Sequence, residues 1–285
     1  MKDFTGNFCV VNGKVEHTDI LNSLSLSALS VCYEVIRVDE GIFLFLEDHL
    51  SRFRDSVQTI RNNYNIDFKY IIDALLKLKK SNDLRSGNIK LLIAFHPQSV
   101  RDPIFIAIQS LHRYPTEIQY SEGVRTSLFM EERERPNIKY LNSSLQEKCR
   151  NEIISRNVYE ILLVDHNGYL TEGSKSNIFF IRGDSLYTAP AHRVLKGITR
   201  EKIVEICRES GYPLIEENIS VNSLNQYKAA FLSGTSPKVL PVASIDTLSF
   251  SIEDPLMSNI KAGYEALIGN YKTRIRQTDY GIDSL

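Results

Sequence analysis

The sequence lacks an excess of charge of either sign. Its 34 Lys and Arg stand against 35 Asp and Glu over 285 residues, a net charge of -1. No surplus positive potential is left to displace counterions from a polyanion, which argues against nucleic acid as a main partner. Long apolar runs are missing too: no stretch approaches the ~18 uninterrupted apolar residues of a membrane helix. The opening MKDFTGNFCVVNGKVEH has no basic-then-apolar secretory pattern. A soluble, cytoplasmic protein with no membrane partner is expected. Cys9, Cys32, Cys149 and Cys207 are scattered, without the close pairing of zinc sites or redox couples. Reduced, mostly buried thiols and no metal site are expected. No G-x-G-x-x-G, Walker loop, H-E-x-x-H or G-x-S-x-G occurs, and the six histidines are isolated from one another, each reading as structural.

At 42% hydrophobic and 24% charged, the chain can build one large core or two modest ones. The first part alternates short strands and helices. FCVVNGKVE (8–16) holds an Asn12-Gly13 hairpin signal, and YEVIRV (33–38) with IFLFL (42–46) makes two β-rich runs around Asp39-Glu40-Gly41. Leu46, Leu50, Phe53, Val57 and Ile60 then mark one helix face ending near Arg61, and FKYIIDALLKLKKSN (68–82) is a second amphipathic helix. NIKLLIAF (88–95) and PIFIAIQSL (103–111) complete a small α+β domain, residues 1–115. A polar connection spans 116–123, and a larger domain fills 124–285. In it come VRTSLFM (124–130), a helix with Leu145, Cys149, Ile153 and Ile154 on one face, and EILLVDHNGYLTEG (160–173) turning at Asn167-Gly168. SNIFFIRGDSLYTAP (176–190) turns at Gly183-Asp184, and a helix over 199–213 ends at Gly211 and Pro213. AAFLSGTS, KVLPVASIDTLSF and a last helix near 255–275 close the chain.

Some segments suit an anion. LKGITREK (195–202) opens a helix on glycine and threonine, where unpaired N–H groups and the positive dipole end gather, and SGTS (233–236) ends a strand with small hydroxyl residues. Taken alone, each reads equally as a capped helix start or a plain turn. Arg52, four residues after Asp48, reads alone as half of an exposed i,i+4 pair. Glu172, at the end of an apolar strand, reads as a solvated carboxylate, and Lys139 in PNIKYLN as a surface charge.

Their order in the chain says more. Arg52, Lys139, Glu172, Ile198-Thr199 and Thr235 follow one another within YEVIRV, LEDHLSRFRDS, NIKYLN, NGYLTEGSKSNIFF, LKGITR and SGTSPKVLPV. Together these resemble the fold-type-IV pyridoxal-phosphate enzymes, the class-IV aminotransferases, over nearly the whole chain. The resemblance implies a two-domain fold of mixed α/β character, with a small N-terminal α+β domain and a larger β-barrel-like domain flanked by helices. It implies pyridoxal 5'-phosphate as cofactor, with Lys139 forming the Schiff base and then moving the proton as a free amine, a task lysine suits because its amine deprotonates when desolvated. By the same resemblance Glu172 partners the ring nitrogen, while Arg52, the amides of Ile198 and Thr199, and Thr235 hold the phosphate.

Tyr33, Val35 and Arg37 share one side of a strand whose family counterpart lines the substrate pocket. D-amino-acid aminotransferases carry an arginine at the position aligned with Phe95, so an L-amino acid is expected. Branched-chain enzymes carry one near Lys90, a point charge here rather than a fork. The lead-in LSLSALSVCYE (24–34) departs from the family in having no glycine. The expected activity is amino transfer between an amino acid, branched-chain-like, and a 2-oxo acid, in a homodimer. The alternatives are 4-amino-4-deoxychorismate lyase and a catalytically silent paralogue.

Overall fold

The computed structural model describes residues 4–24, 26, 29–96, 102–112 and 114–277. Residues 25, 27 and 28 of the glycine-free lead-in lie outside them. The chain divides into two units: Met1–Arg113, Ile138–Leu141 and Ile268–Leu285 in unit 1, Tyr114–Asn137 and Asn142–Leu267 in unit 2.

Unit 1 is built on a six-stranded sheet in the order β2-β1-β6-β5-β3-β4. Its strands are β1 (Phe4–Val11), β2 (Lys14–His17), β3 (Ser30–Asp39), β4 (Ile42–Phe43), β5 (Gly87–Phe95) and β6 (Ile104–Ser110). Every pairing is antiparallel. Asn12 (φ 47°) and Gly13 (φ 79°) are both left-handed, as a type I′ turn requires. One sheet face lies under α1 (Leu46–Ile60) and α2 (Phe68–Ser81), which press Leu50, Phe53, Val57, Leu75 and Leu78 onto Ile36, Ile89 and Leu91. The opposite face gathers Cys9, Val31, Leu92, Ala94 and Ile106.

The run IFLFL is mostly not strand. Phe45 turns left-handed (φ 51°) and sends the chain into α1, so that only Ile42 and Phe43 form β4, with Leu44 N–H adding one last bond to Arg37 O of β3 at 2.9 Å. Leu44, Phe45 and Leu46 are all buried, so no alternation distinguishes this turn from a strand.

Unit 2 opens with α3 (Glu117–Glu122), within the stretch read as a connection. Thr116 and Gln119 form a reciprocal capping box there. β7 (Val124–Met130) runs parallel to β8 (Glu160–Val164) across α4 (Ser143–Arg156), and β9 (Tyr169–Gly173) returns antiparallel. In the β8–β9 turn Gly168 alone is left-handed, and Asp165 Oδ1 accepts the amides of Asn167 and Tyr169, a wider turn than a two-residue hairpin. Ile154 of α4 is 70% exposed and does not share the buried face of Leu145 and Cys149.

β10 (Asn177–Arg182) and β11 (Ser185–Thr188) form the hairpin at Gly183, and α5 (Ile198–Ser210) ends on left-handed Gly211. Short β12 (Leu214–Glu216) and β13 (Ile219–Ser220) follow, then β14 (Ala229–Gly234), β15 (Lys238–Ile245), β16 (Leu248–Ser249) and α6 (Pro255–Gln277). The main sheet path is β12-β11-β10-β14-β15-β7-β8-β9-β13, with β16 on β15. Its two outer strands, β12 and β13, are joined by Glu217 and Asn218 alone, so the sheet has to curl until its edges nearly meet. Ile178, Phe180, Leu232 and Leu240 pack within the curl.

Candidate active site

Lys139 reaches unit 1 on a short segment far away in sequence. Tyr33 N–H donates to Lys139 O at 3.0 Å and Leu141 N–H to Val31 O at 2.8 Å, so residues 138–141 extend the edge of β3 that β4 occupies further along. Lys139 N–H donates to Ser56 Oγ on α1 at 3.2 Å. These are main-chain bonds, and they fix where the lysine side chain starts. Its Nζ lies 5.0 Å from the centre of the Tyr33 ring, and Lys90 Nζ lies 4.9 Å from the same ring. Lys90 stands opposite Val35 in the β3–β5 register, so Tyr33, Arg37 and Lys90 share one sheet face. Phe95 points to the other face, edge-on to Tyr64 at 5.2 Å within the helix-covered core.

Behind that sheet face lies a buried ionic network. Glu34 alternates with Cys32, Ile36 and Val38 on the apolar side of β3 and is 0% exposed. Arg52 donates to it twice, Nε to Oε2 at 2.9 Å and Nη2 to Oε1 at 2.6 Å, and His49 Nδ1 lies 3.1 Å from Oε1. An ionised carboxylate only accepts, so the proton of neutral His49 sits on Nδ1. Arg52 is therefore no exposed end of a surface pair; its side chain is 11% exposed. Burial alone would raise Glu34, but the Arg52 guanidinium and the His49 bond hold its carboxyl well below the usual range.

Burial pushes His49 below its ordinary 6.5, Glu34 pulls it partly back, and the charges of Arg52 and Lys139 lower it further. A depressed folded value means that the unfolded chain takes the proton first. Stability contributed by neutral His49 is thus complete above 6.5 and is lost as pH falls toward the folded value. His49→Gln is expected to flatten the dependence of unfolding free energy on pH between about 7 and 5, followed by urea titration.

Unit 2 holds the other expected residues. Glu172, near the end of β9, is 2% exposed and not solvated: Arg133 Nε donates to Oε1 at 2.8 Å and Leu195 N–H to Oε2 at 3.2 Å. Arg133 also donates to Ser174 O at 2.7 Å, holding strand end and carboxylate together. α5 begins at Gly197 with no side-chain cap, leaving the amides of its first turn to other acceptors. Thr199 is buried with Oγ1 3.2 Å from Tyr264 Oη. Thr235 sits half-buried in the turn between β14 and β15.

The matching family profile is Amino-transferase class IV, over residues 31–245. This chain belongs to the class-IV aminotransferase family. Membership makes it a fold-type-IV pyridoxal-phosphate enzyme by kind. Among class-IV relatives, a putative branched-chain-amino-acid aminotransferase of Methanocaldococcus jannaschii is 27% identical over 231 residues, 75% of this chain and 78% of its own. A D-alanine aminotransferase of Bacillus licheniformis is 26% identical over 243 residues, 82% of this chain and 86% of its own. In fold, the chain is similar to the crystal structure of the Escherichia coli branched-chain amino acid aminotransferase: TM-score 0.82 at 21% identity, covering 93% of this chain and 95% of that one.

The residues present suit the class-IV cofactor. An uncapped helix start offers amides to a phosphate, and Gly197 at its head has no room for a side chain, since a Cβ there would lie 2.2 Å from Asn177 Oδ1. Sequence reasoning missed Glu34, His49 and Arg133. For Glu34 a signal existed: a carboxylate in the alternating series Cys32, Ile36, Val38 sits at a core position and needs a cation. Among the described residues no group of His, Cys, Asp and Glu is arranged to hold a metal ion, and no helix is long and apolar enough to cross a membrane. All four cysteines are buried and unpaired with one another.

Proposed function

We propose that this protein is an aminotransferase exchanging the amino group of an L-amino acid, branched-chain-like, with a 2-oxo acid, with Lys139 as the covalent anchor of pyridoxal phosphate. The observation that carries the reading is the setting of Lys139. Its backbone is locked to β3 and to Ser56, and its amine stands against the Tyr33 ring within electrostatic range of His49.

When bound, pyridoxal phosphate supplies the electron sink that makes the α-proton of an amino acid removable. Arg52, made rigid by two bonds to Glu34, would be a ligand of the phosphate, as would the amides of Ile198 and Thr199 and the hydroxyl of Thr235. Glu172, fixed by Arg133 and Leu195 N–H, would be the anionic partner of the ring nitrogen. With the cofactor bound, Lys139 Nζ would carry the proton between the substrate α-carbon and the cofactor C4′. Tyr33, Arg37 and Lys90 orient the substrate from the shared face of β3 and β5. The working form is a homodimer.

The L preference is supported by Phe95, apolar and turned into the helix-covered core. The test is a panel of single half-reactions followed by cofactor colour. L-leucine, L-valine and L-isoleucine should discharge the enzyme at least about a hundredfold faster than D-alanine. A D-alanine preference overturns the stereochemical reading, and pyruvate released from 4-amino-4-deoxychorismate without any 2-oxo acid makes the protein a lyase.

A further inference from the structure

α1 carries His49, Arg52 and Ser56, yet it starts with no cap of its own. The residue before it, Phe45, is left-handed (φ 51°, ψ 42°) and makes no side-chain cap bond. Bulky residues rarely adopt that conformation, so something outside must hold it. The support comes from 225 residues further along the chain. Tyr271, in the last turns of α6 and within unit 1, is 8% exposed; it accepts Leu46 N–H at 3.1 Å and donates to Glu47 Oε2 at 2.7 Å. Its ring packs on Phe45 with centroids 4.9 Å apart. One hydroxyl therefore both satisfies the first amide of the helix and fixes an acidic side chain in its first turn, where the dipole favours negative charge. Arg274 Nη2 holds the other Glu47 oxygen at 3.0 Å, and Lys272 Nζ reaches Glu40 in the β3–β4 turn at 3.1 Å.

The start of a helix sets the axial position of every side chain along it. His49 and Arg52 meet Glu34, and Ser56 meets Lys139 N–H, only if α1 begins where it does. We propose that Tyr271 is a positioning residue: as a remote cap of α1 it fixes where Arg52 stands, and so how tightly the enzyme holds the phosphate of its cofactor. The second half of this proposal rests on Arg52 being a phosphate ligand.

Tyr271→Phe in the full chain removes the hydroxyl and keeps the ring. Amide hydrogen exchange over Leu46–Leu50 should quicken about fivefold, the effect of losing one cap, with α2 unchanged. The dissociation constant for pyridoxal phosphate should rise about three- to tenfold, while pyridoxal, lacking the phosphate, binds as before. If Tyr271→Phe does not fold, Glu47→Gln weakens the same cap from its other side and should shift both readouts in the same direction. Unchanged exchange at the start of α1 overturns the cap. Faster exchange with unchanged pyridoxal phosphate affinity overturns the positioning role, and so does equal loosening of α1 and α2. The assignment of Lys139 stands or falls separately, because borohydride fixation of the cofactor does not depend on Tyr271.

Discussion

Lys139→Ala is expected to lower amino transfer by at least about a thousandfold at saturating pyridoxal phosphate, the loss of anchor and proton carrier together. The fold should survive, because the bonds from Lys139 N–H to Ser56 Oγ, from Tyr33 N–H to Lys139 O and from Leu141 N–H to Val31 O use main-chain groups of residues 138–141 and remain with alanine. Thermal unfolding should therefore stay within about 2 °C of the parent, a shift well under that of 1 kcal/mol in a small domain. Lys139→Arg sharpens the expectation. It restores the positive charge over Tyr33 but cannot lose its proton, so activity should not return. Activity recovered in the arginine variant would mean that Lys139 contributes charge alone.

The largest effect on stability is expected from Glu34→Ala. The substitution leaves Arg52 and His49 aimed at a buried hole, with no carboxylate to meet either, and breaking a buried pair in this way costs about 3–5 kcal/mol. Glu34→Gln keeps an acceptor oxygen for Arg52 and should lose about half as much. Because the folded carboxyl lies below its ordinary 4.5, the stability it contributes is complete above that value and is lost as pH falls through the folded one. Urea denaturation at pH 7 should therefore separate parent from alanine variant clearly, and the gap should narrow in strong acid. A gap that stays constant with pH would show that the cost is one of packing, not of charge.

Much of this fold can be read from local chemistry. Asn12-Gly13 and Gly183 mark hairpins because their backbones turn left-handed, and α1, α2 and α5 follow from the spacing of their apolar residues. The Thr116–Gln119 box, a local signal, starts a helix inside the polar connection, whereas the consecutive buried residues around Phe45 leave no local signal of the turn there. Ile154 sits on the apolar series of α4 but one position off the face that β8 covers, and periodicity alone does not resolve a single step.

The site divides along a different line. Lys139, Glu172 and the start of α5 are proposed from their order in the chain. What holds them is not, since Tyr271 reaches Leu46 across 225 residues, Arg133 meets Glu172 across 39, and Arg52 meets Glu34 across 18. Side chains that meet only after folding leave no periodicity behind. The exception is Glu34, whose place in the apolar face of β3 announces a buried charge without naming its partner.

The central claim is that Lys139 carries the cofactor. Borohydride reduction of the pyridoxal-phosphate-loaded protein, followed by peptide mass mapping, tests it most directly. The account predicts one pyridoxyl label per chain, on the peptide containing Asn137-Ile138-Lys139-Tyr140, and none in Lys139→Ala. A label at another lysine of the parent protein, or none at all, would contradict it.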